Sequence, residues 1–271
     1  MRRARILALV LLVLAAWPGR ADAHPVSTEN LTSGPIRPGW AGGFDASFAL
    51  ARGNIDLLDV GGAGRIYFQT LHQGHSNRQQ PFLRQRVLLA VNGRFATQAG
   101  DPYVSQGFSH LRWTAMWHRR VGHELFAQYQ FNEFLRLNER AVGGGGVRVA
   151  MVNHALFMLW GATGYMIEHE RIAVAPGAPD SPRSIAHRWT SYVVARLSVA
   201  EGALRMQSTT YVQPRFDDPG DLRLLEEFEA MARVSEVFSI GATLSVLYDS
   251  RPPSEVEPLD LRLGSTVRLS F

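Results

Sequence analysis

The residues best suited to chemistry in this chain are arginines and carboxylates recurring at every second position of extended segments. Arg84, Arg86, Arg112, Glu124, Arg148, Arg196, Glu227, Glu229, Arg262 and Arg268 carry the pattern, and Arg65, Arg205 and Arg233 extend it. A period of two places such residues on one face of a β-strand. On the inner wall of a closed sheet they have two uses. Rings of arginine favour anions in a water-filled channel. Guanidinium and carboxylate groups paired fork to fork instead cross-brace the wall. The intermixed glutamates favour bracing with at most a narrow path.

Other chemistry finds less support. All 28 basic residues are arginine, so lysine-based phosphate loops and Schiff bases are excluded. Cysteine is absent, which excludes disulfides, thiolate metal sites and a lipid-modified N-terminal cysteine. His72 and His75 share a predicted loop without a third ligand nearby, so no metal site is expected there. Asp217-Asp218-Pro219-Gly220-Asp221 has the acids of a calcium loop without its ligand spacing, and reads as turn chemistry. Gly143 to Gly146 lies in a predicted strand, where glycines mark bulges or close packing rather than a phosphate cradle.

Ser109 and His110 are adjacent and therefore point to opposite faces of a strand, so they cannot share a proton. There is no Gly-x-Ser-x-Gly elbow. No cofactor is expected and no catalytic activity. The alternative that stays open is a barrel enzyme acting on lipid or peptide at the extracellular rim.

The elements that must position these side chains are strands throughout. The last segment, Leu259 to Phe271, sets Leu259, Leu261, Leu263, Val267, Leu269 and Phe271 against Asp260, Arg262, Gly264, Thr266 and Arg268. Alternation recurs in Trp40–Arg52, Ile55–Gln69, Phe82–Phe95, Tyr103–Trp117, Gly122–Phe134, Ser184–Ser198, Ala203–Gln213, Asp221–Arg233 and Glu236–Asp249. Arg140–Val152 is glycine-rich and His154–Glu170 is apolar on both parities, so their placement rests more on neighbours than on pattern.

The total, about twelve, is even, as a single-chain barrel needs to bring both termini to one side. From the seventh connection onward, the odd ones (171–183, 214–220, 250–258) are the longer ones, as outward loops of such a barrel are. The predicted fold is all-β, a transmembrane antiparallel up-and-down barrel. A soluble sandwich also alternates, but its strands are usually shorter.

The ends agree. Arg2, Arg3 and Arg5 precede an apolar run, Ile6 to Ala16, too short to span a bilayer as a helix, which takes roughly 20 residues. Ala21-Asp22-Ala23 fits a cleavage site, predicting a signal peptide over 1–23, a polar lead over 24–38 and the barrel over 39–271. Cleavage would remove four arginines and one aspartate, taking the formal charge from +4 to +1 and removing any case for nucleic acid. The terminal strand ending in Phe271 resembles the signal read by the barrel-assembly machinery of Gram-negative bacteria, which makes that machinery and outer-membrane lipid the expected partners. Oligomeric state is left open. Trp40, Trp117, Trp189, Tyr248 and Phe271 fall near strand ends, suited to aromatic girdles at the membrane interfaces.

From Trp40 to Phe271 the chain resembles the salt-induced outer-membrane protein family (YdiY-like), bacterial barrels with no established activity. The resemblance rests on Gly39-Trp40, Arg52-Gly53-Asn54, Leu111-Arg112-Trp113, Phe126 to Asn132 with Asn138-Glu139-Arg140, and Gly143 to Gly146. Arg188-Trp189-Thr190-Ser191-Tyr192, Tyr211 to Asp218 and Tyr248 to Pro253 complete it. It implies the barrel and an outer-membrane location, and supplies no catalytic residues.

Overall fold

A computed structural model describes residues 38–51, 57–72, 82–133, 136–174, 177, 180–254 and 256–270. The segment read as leader, the polar lead as far as residue 37, His75 and Phe271 lie outside these residues. Twelve strands follow one another: β1 (Gly39–Ala51), β2 (Leu57–His72), β3 (Phe82–Gln98), β4 (Asp101–Met116), β5 (Val121–Asn132) and β6 (Leu137–Asn153). The second half comprises β7 (Phe157–Ile172), β8 (Arg183–Val199), β9 (Leu204–Pro214), β10 (Leu222–Arg233), β11 (Phe238–Asp249) and β12 (Leu259–Ser270). Each pairs antiparallel with its chain neighbours, and β1 pairs with β12 through Gly43↔Ser270 to Ala46↔Val267. The sheet is a closed up-and-down barrel whose β1–β12 seam is paired over those four positions.

Where strands are paired, neighbours satisfy the backbone, so the side chains decide what each face meets. Outward residues are apolar and uncovered: Phe44, Val87, Leu89, Leu125, Val193, Leu261 and Leu263 are all exposed, Leu263 at 69%. Their strand neighbours on the other parity are the buried ones, including Arg112, Glu124, Arg140, Glu168, Arg188, Arg196 and Arg268. Apolar outside and charged inside is the inverse of a water-soluble protein, and suits a barrel whose solvent is hydrocarbon. The chain is a twelve-stranded transmembrane β-barrel.

Hairpin geometry follows from the turn residues. β3 and β4 are joined by Ala99-Gly100 alone, with φ of 54° and 86°. Positive φ at both positions is the primed turn that matches strand twist, and glycine takes it without strain. The glycine run of β6 has a packing reason: a Cβ at Gly146 would run into the Thr163 carbonyl, and one at Gly164 into that of Gly145. Backbones of β6 and β7 therefore approach where both are glycine.

β1 begins and β12 ends at one end of the barrel, here the termini end. The connections 173–182, 215–221 and 250–258 lie at the other, the far end.

Candidate functional site

Alternation carries the charged residues to the inner wall, but the contacts they make are set by the ring. The densest set lies in the far half. Glu168 on β7 accepts from Arg140 on β6, from Arg188 Nε on β8 at 3.1 Å, and lies 3.0 Å from Arg223 on β10. Arg223 also donates to Glu170 at 2.7 Å and to Asp249 at 2.8 Å. Arg188 continues to Asp221 at 2.9 Å. The link from β10 to β7 passes over β8 and β9, so it crosses the interior rather than running along the wall.

A second crossing lies deeper. Tyr192 on β8 donates its hydroxyl to Glu124 on β5 at 2.7 Å, and Arg148 on β6 donates to Tyr192 at 2.5 Å and to Glu124 at 3.3 Å. Arg112 lies 4.0 Å from Glu124 and donates through Nε to His110 Nε2 at 3.3 Å. The other ring nitrogen of His110 contacts Gln128 Oε1 at 3.2 Å. Both nitrogens are thus engaged by an arginine and an amide, which leaves the imidazole positioned for structure rather than proton transfer to a nucleophile. Toward the termini end, Arg268 on β12 bridges Glu229 on β10 at 2.6 Å and Asp45 on β1 at 3.1 Å, and Asp45 also takes Arg65 at 2.9 Å.

Between these layers the inner wall of β7 to β11 is apolar: Trp160, Tyr192, Val194, Tyr211, Leu225 and Leu247 form one buried cluster. Two cavities lie among the described residues of the interior. A cavity lined by His110, Arg112, Glu124 and Tyr211 measures about 30 Å³, and one nearer the termini end about 80 Å³. A water needs about 10–15 Å³ by this measure, so each of these two cavities has room for a few waters.

The far mouth is bridged as well. Arg136, in the β5–β6 connection, donates to the Ser254 carbonyl at 3.0 Å in the β11–β12 connection, half the ring away. The Ser254 amide in turn donates to Asp180, beyond β7, at 3.1 Å. The acids of 217–221 are held by arginines: Asp217 by Arg215, Asp218 by Arg251, and Asp221 by both Arg188 and Arg215. The hydrogen bond from Arg215 holds the Asp217 carboxyl below its usual range.

Of the residues singled out by pattern, Arg112, Glu124, Arg148, Arg196, Glu229 and Arg268 are buried in this network. Arg86 donates to Gln69 at 2.7 Å, Arg262 bonds Asp260 at 3.3 Å, and Glu227 is half-buried. Arg84 is exposed; the β2–β3 register shifts beside it, between Thr70 and Leu71, which breaks the alternation. Trp40 and Trp117 stand exposed at the termini end and Tyr248 at the far end. Trp189 is level with the end of β9, where Phe216 packs on it at 5.8 Å. Pattern reading did not single out Arg140, Glu168, Glu170, Arg223 or Asp249. Glu168 and Glu170 are spaced by two, but they close a segment apolar on both parities, which hid them.

The family model described as "Protein of unknown function, DUF481" matches residues 45–271. The chain belongs to this family. No curated protein matches it. Among solved structures, the KdgM porin in complex with disordered oligogalacturonate is 7% identical with a TM-score of 0.40, covering 85% of this chain and 99% of that one. The NanC porin is 6% identical at 0.42, covering 85% and 97%. The translocator domain of the autotransporter NalP from Neisseria meningitidis is 8% identical at 0.43, covering 99% and 95%. Similarity at that level carries no argument about what this interior does.

Proposed function

We propose that this protein is a non-enzymatic barrel of the Gram-negative outer membrane, exported by its leader, whose interior is cross-braced by arginine–carboxylate pairs and passes at most a narrow, anion-favouring stream. The observation that carries this reading is the set of bonds spanning the interior, Arg223 to Glu170 and Tyr192 to Glu124. A wide channel keeps charged side chains along its wall, whereas these close across it. Arginine outnumbering acid around the remaining space supports the anion bias. In this reading Trp40, Trp117, Trp189, Tyr248 and Phe271 hold the two interfaces. The strand ending in Phe271 addresses the chain to the assembly machinery, and the salt-induced designation of the resembling family extends to this member.

The test is to refold the chain from His24 in detergent and record single-channel currents in a planar bilayer, with Arg112→Ala beside it. The expected result is a small anion-biased current whose selectivity falls in the variant. Large, unselective currents from the folded wild type contradict the braced interior. Complete silence removes the pore and leaves the structural role.

A further inference from the structure

The seam that closes the barrel is paired along part of its length. β1 runs to Ala51 and β12 begins at Leu259, yet among the described residues their pairing ends at Ala46↔Val267. Beyond that point each lip is held from its own side. Ser47 to Ala51 pair with Gly61 to Leu57 on β2, and Leu259 to Thr266 pair with Tyr248 to Gly241 on β11. Exposure changes at the same place. On the outer face of β12, Val267 is 43% exposed and Leu263 is 69% exposed. On the inner face Arg268 is buried and Asp45 half-buried, whereas Ser47, the next inward residue of β1, is exposed. Arg268 Nε donates to Asp45 at 3.1 Å, a bond that crosses the seam just before its pairing ends.

Backbone N–H and C=O groups along two open lips meet no water in hydrocarbon, and leaving them there is costly. Continuing the register that stops at Ala46↔Val267 satisfies them. Ser47 to Ala51 then fall opposite Thr266 to Arg262, with no slide of either strand along its axis. Gly264, in the middle of that stretch, offers no side chain to pack across the seam. We propose that the far part of the β1–β12 seam is a lateral gate, which stands open in this structure, closes by extending the register, and is clasped by Asp45 and Arg268. When open, it joins two surfaces of opposite character. Arg262 with Asp260 and Arg94 with Asp59 stand on the inner wall beside it, and Leu261 and Leu263 face the lipid. The route runs sideways between interior and bilayer at the far end, whereas the function proposed above concerns passage along the barrel axis.

The chain has no cysteine, so introduced cysteine pairs read the seam directly. Disulfide formation is followed in refolded barrels in phosphatidylcholine nanodiscs, for Ala46→Cys with Val267→Cys and for Leu50→Cys with Leu263→Cys. The two pairs have the same parity, so in a continued register they are ladder positions of the same kind. The first is expected to crosslink rapidly. The second is expected to crosslink about tenfold more slowly but to completion, because it forms during closure alone. Phe48→Cys with Ser265→Cys, between them, repeats the measurement with different substitutions and is expected to lag as well. Adding Asp45→Asn to the first pair is expected to slow it, as the opening spreads past the lost clasp. Equal rates for all pairs mean a seam zipped throughout, and no product from either pair beyond Val267 means a fixed notch. Each of those results overturns the gate, and an unchanged rate with Asp45→Asn overturns the clasp.

Discussion

The far half of this barrel and the wall around Trp160, toward the termini end, set the same residue, arginine, against different partners. In the far half Arg140, Arg188 and Arg223 converge on Glu168, and their further contacts include Glu170, Asp221 and Asp249. Near the termini mouth, Arg86 and Arg196 bond amides, and Arg148 and Arg196 stack on Trp160. Charge neutralised by charge makes a rigid, dry plug, because each ion repays its desolvation only while all partners stay in place. Amides and ring faces orient a guanidinium without themselves forming an ion pair to it.

The comparison breaks most visibly at Glu168. Replacing it with alanine takes from Arg140, Arg188 and Arg223 the acid they share, at an expected cost of about 3–5 kcal/mol. Urea unfolding in detergent, followed by tryptophan fluorescence, measures the loss. Arg196→Ala in the other half removes a bond to a neutral amide and is expected to cost about 1–3 kcal/mol. Equal losses at the two positions mean that the halves do not differ as described.

Between the halves, Tyr192→Phe removes the hydroxyl shared by Glu124 and Arg148 while keeping the ring in the apolar cluster. Its cost is expected at about 1–2 kcal/mol, because Arg148 still meets Glu124. The same unfolding assay reads it, and a loss as large as that at Glu168 makes this crossing part of the plug. At the far mouth, Arg136→Ala combined with Asp180→Ala releases the β11–β12 connection and is expected to raise single-channel conductance with little change in stability, since both bonds lie at the rim. Unchanged current means that the constriction is in the interior alone.

The smallest effect is one of pH. The Asp217 carboxyl is held below its usual range by its hydrogen bond from Arg215, so its contribution is present above the unfolded carboxylate pKa and is lost as pH falls through the lower folded value. Because Asp217 is exposed, acidification is expected to loosen the 215–221 connection locally, seen as faster amide exchange at Phe216, with the unfolding midpoint unmoved. Asp217→Asn is expected to show that faster exchange already at neutral pH.

Most of the wall was legible from sequence. Alternation located the twelve strands to within a few residues, because membrane strands must present one apolar and one polar face whatever they pair with. Even the glycine-rich sixth and doubly apolar seventh were found, by exclusion between clearer neighbours. Arg84 marks the limit: a shift of register beside it is a property of the β2–β3 pair, and one strand's pattern does not contain it.

The interior was not legible in the same way. Periodicity states that Glu170 and Arg223, or Glu124 and Tyr192, share the inner face of their own strands, and nothing in the chain between them fixes their distance. Closure of β1 on β12 sets which strands stand opposite, and the register of every intervening pair sets the height at which their side chains meet. Composition and alternation by themselves determined a barrel with charge on the inside; curvature and register decided that Arg140, Arg188 and Arg223 meet at Glu168 in the far half, and that Arg148 and Arg196 meet at Trp160 toward the other end.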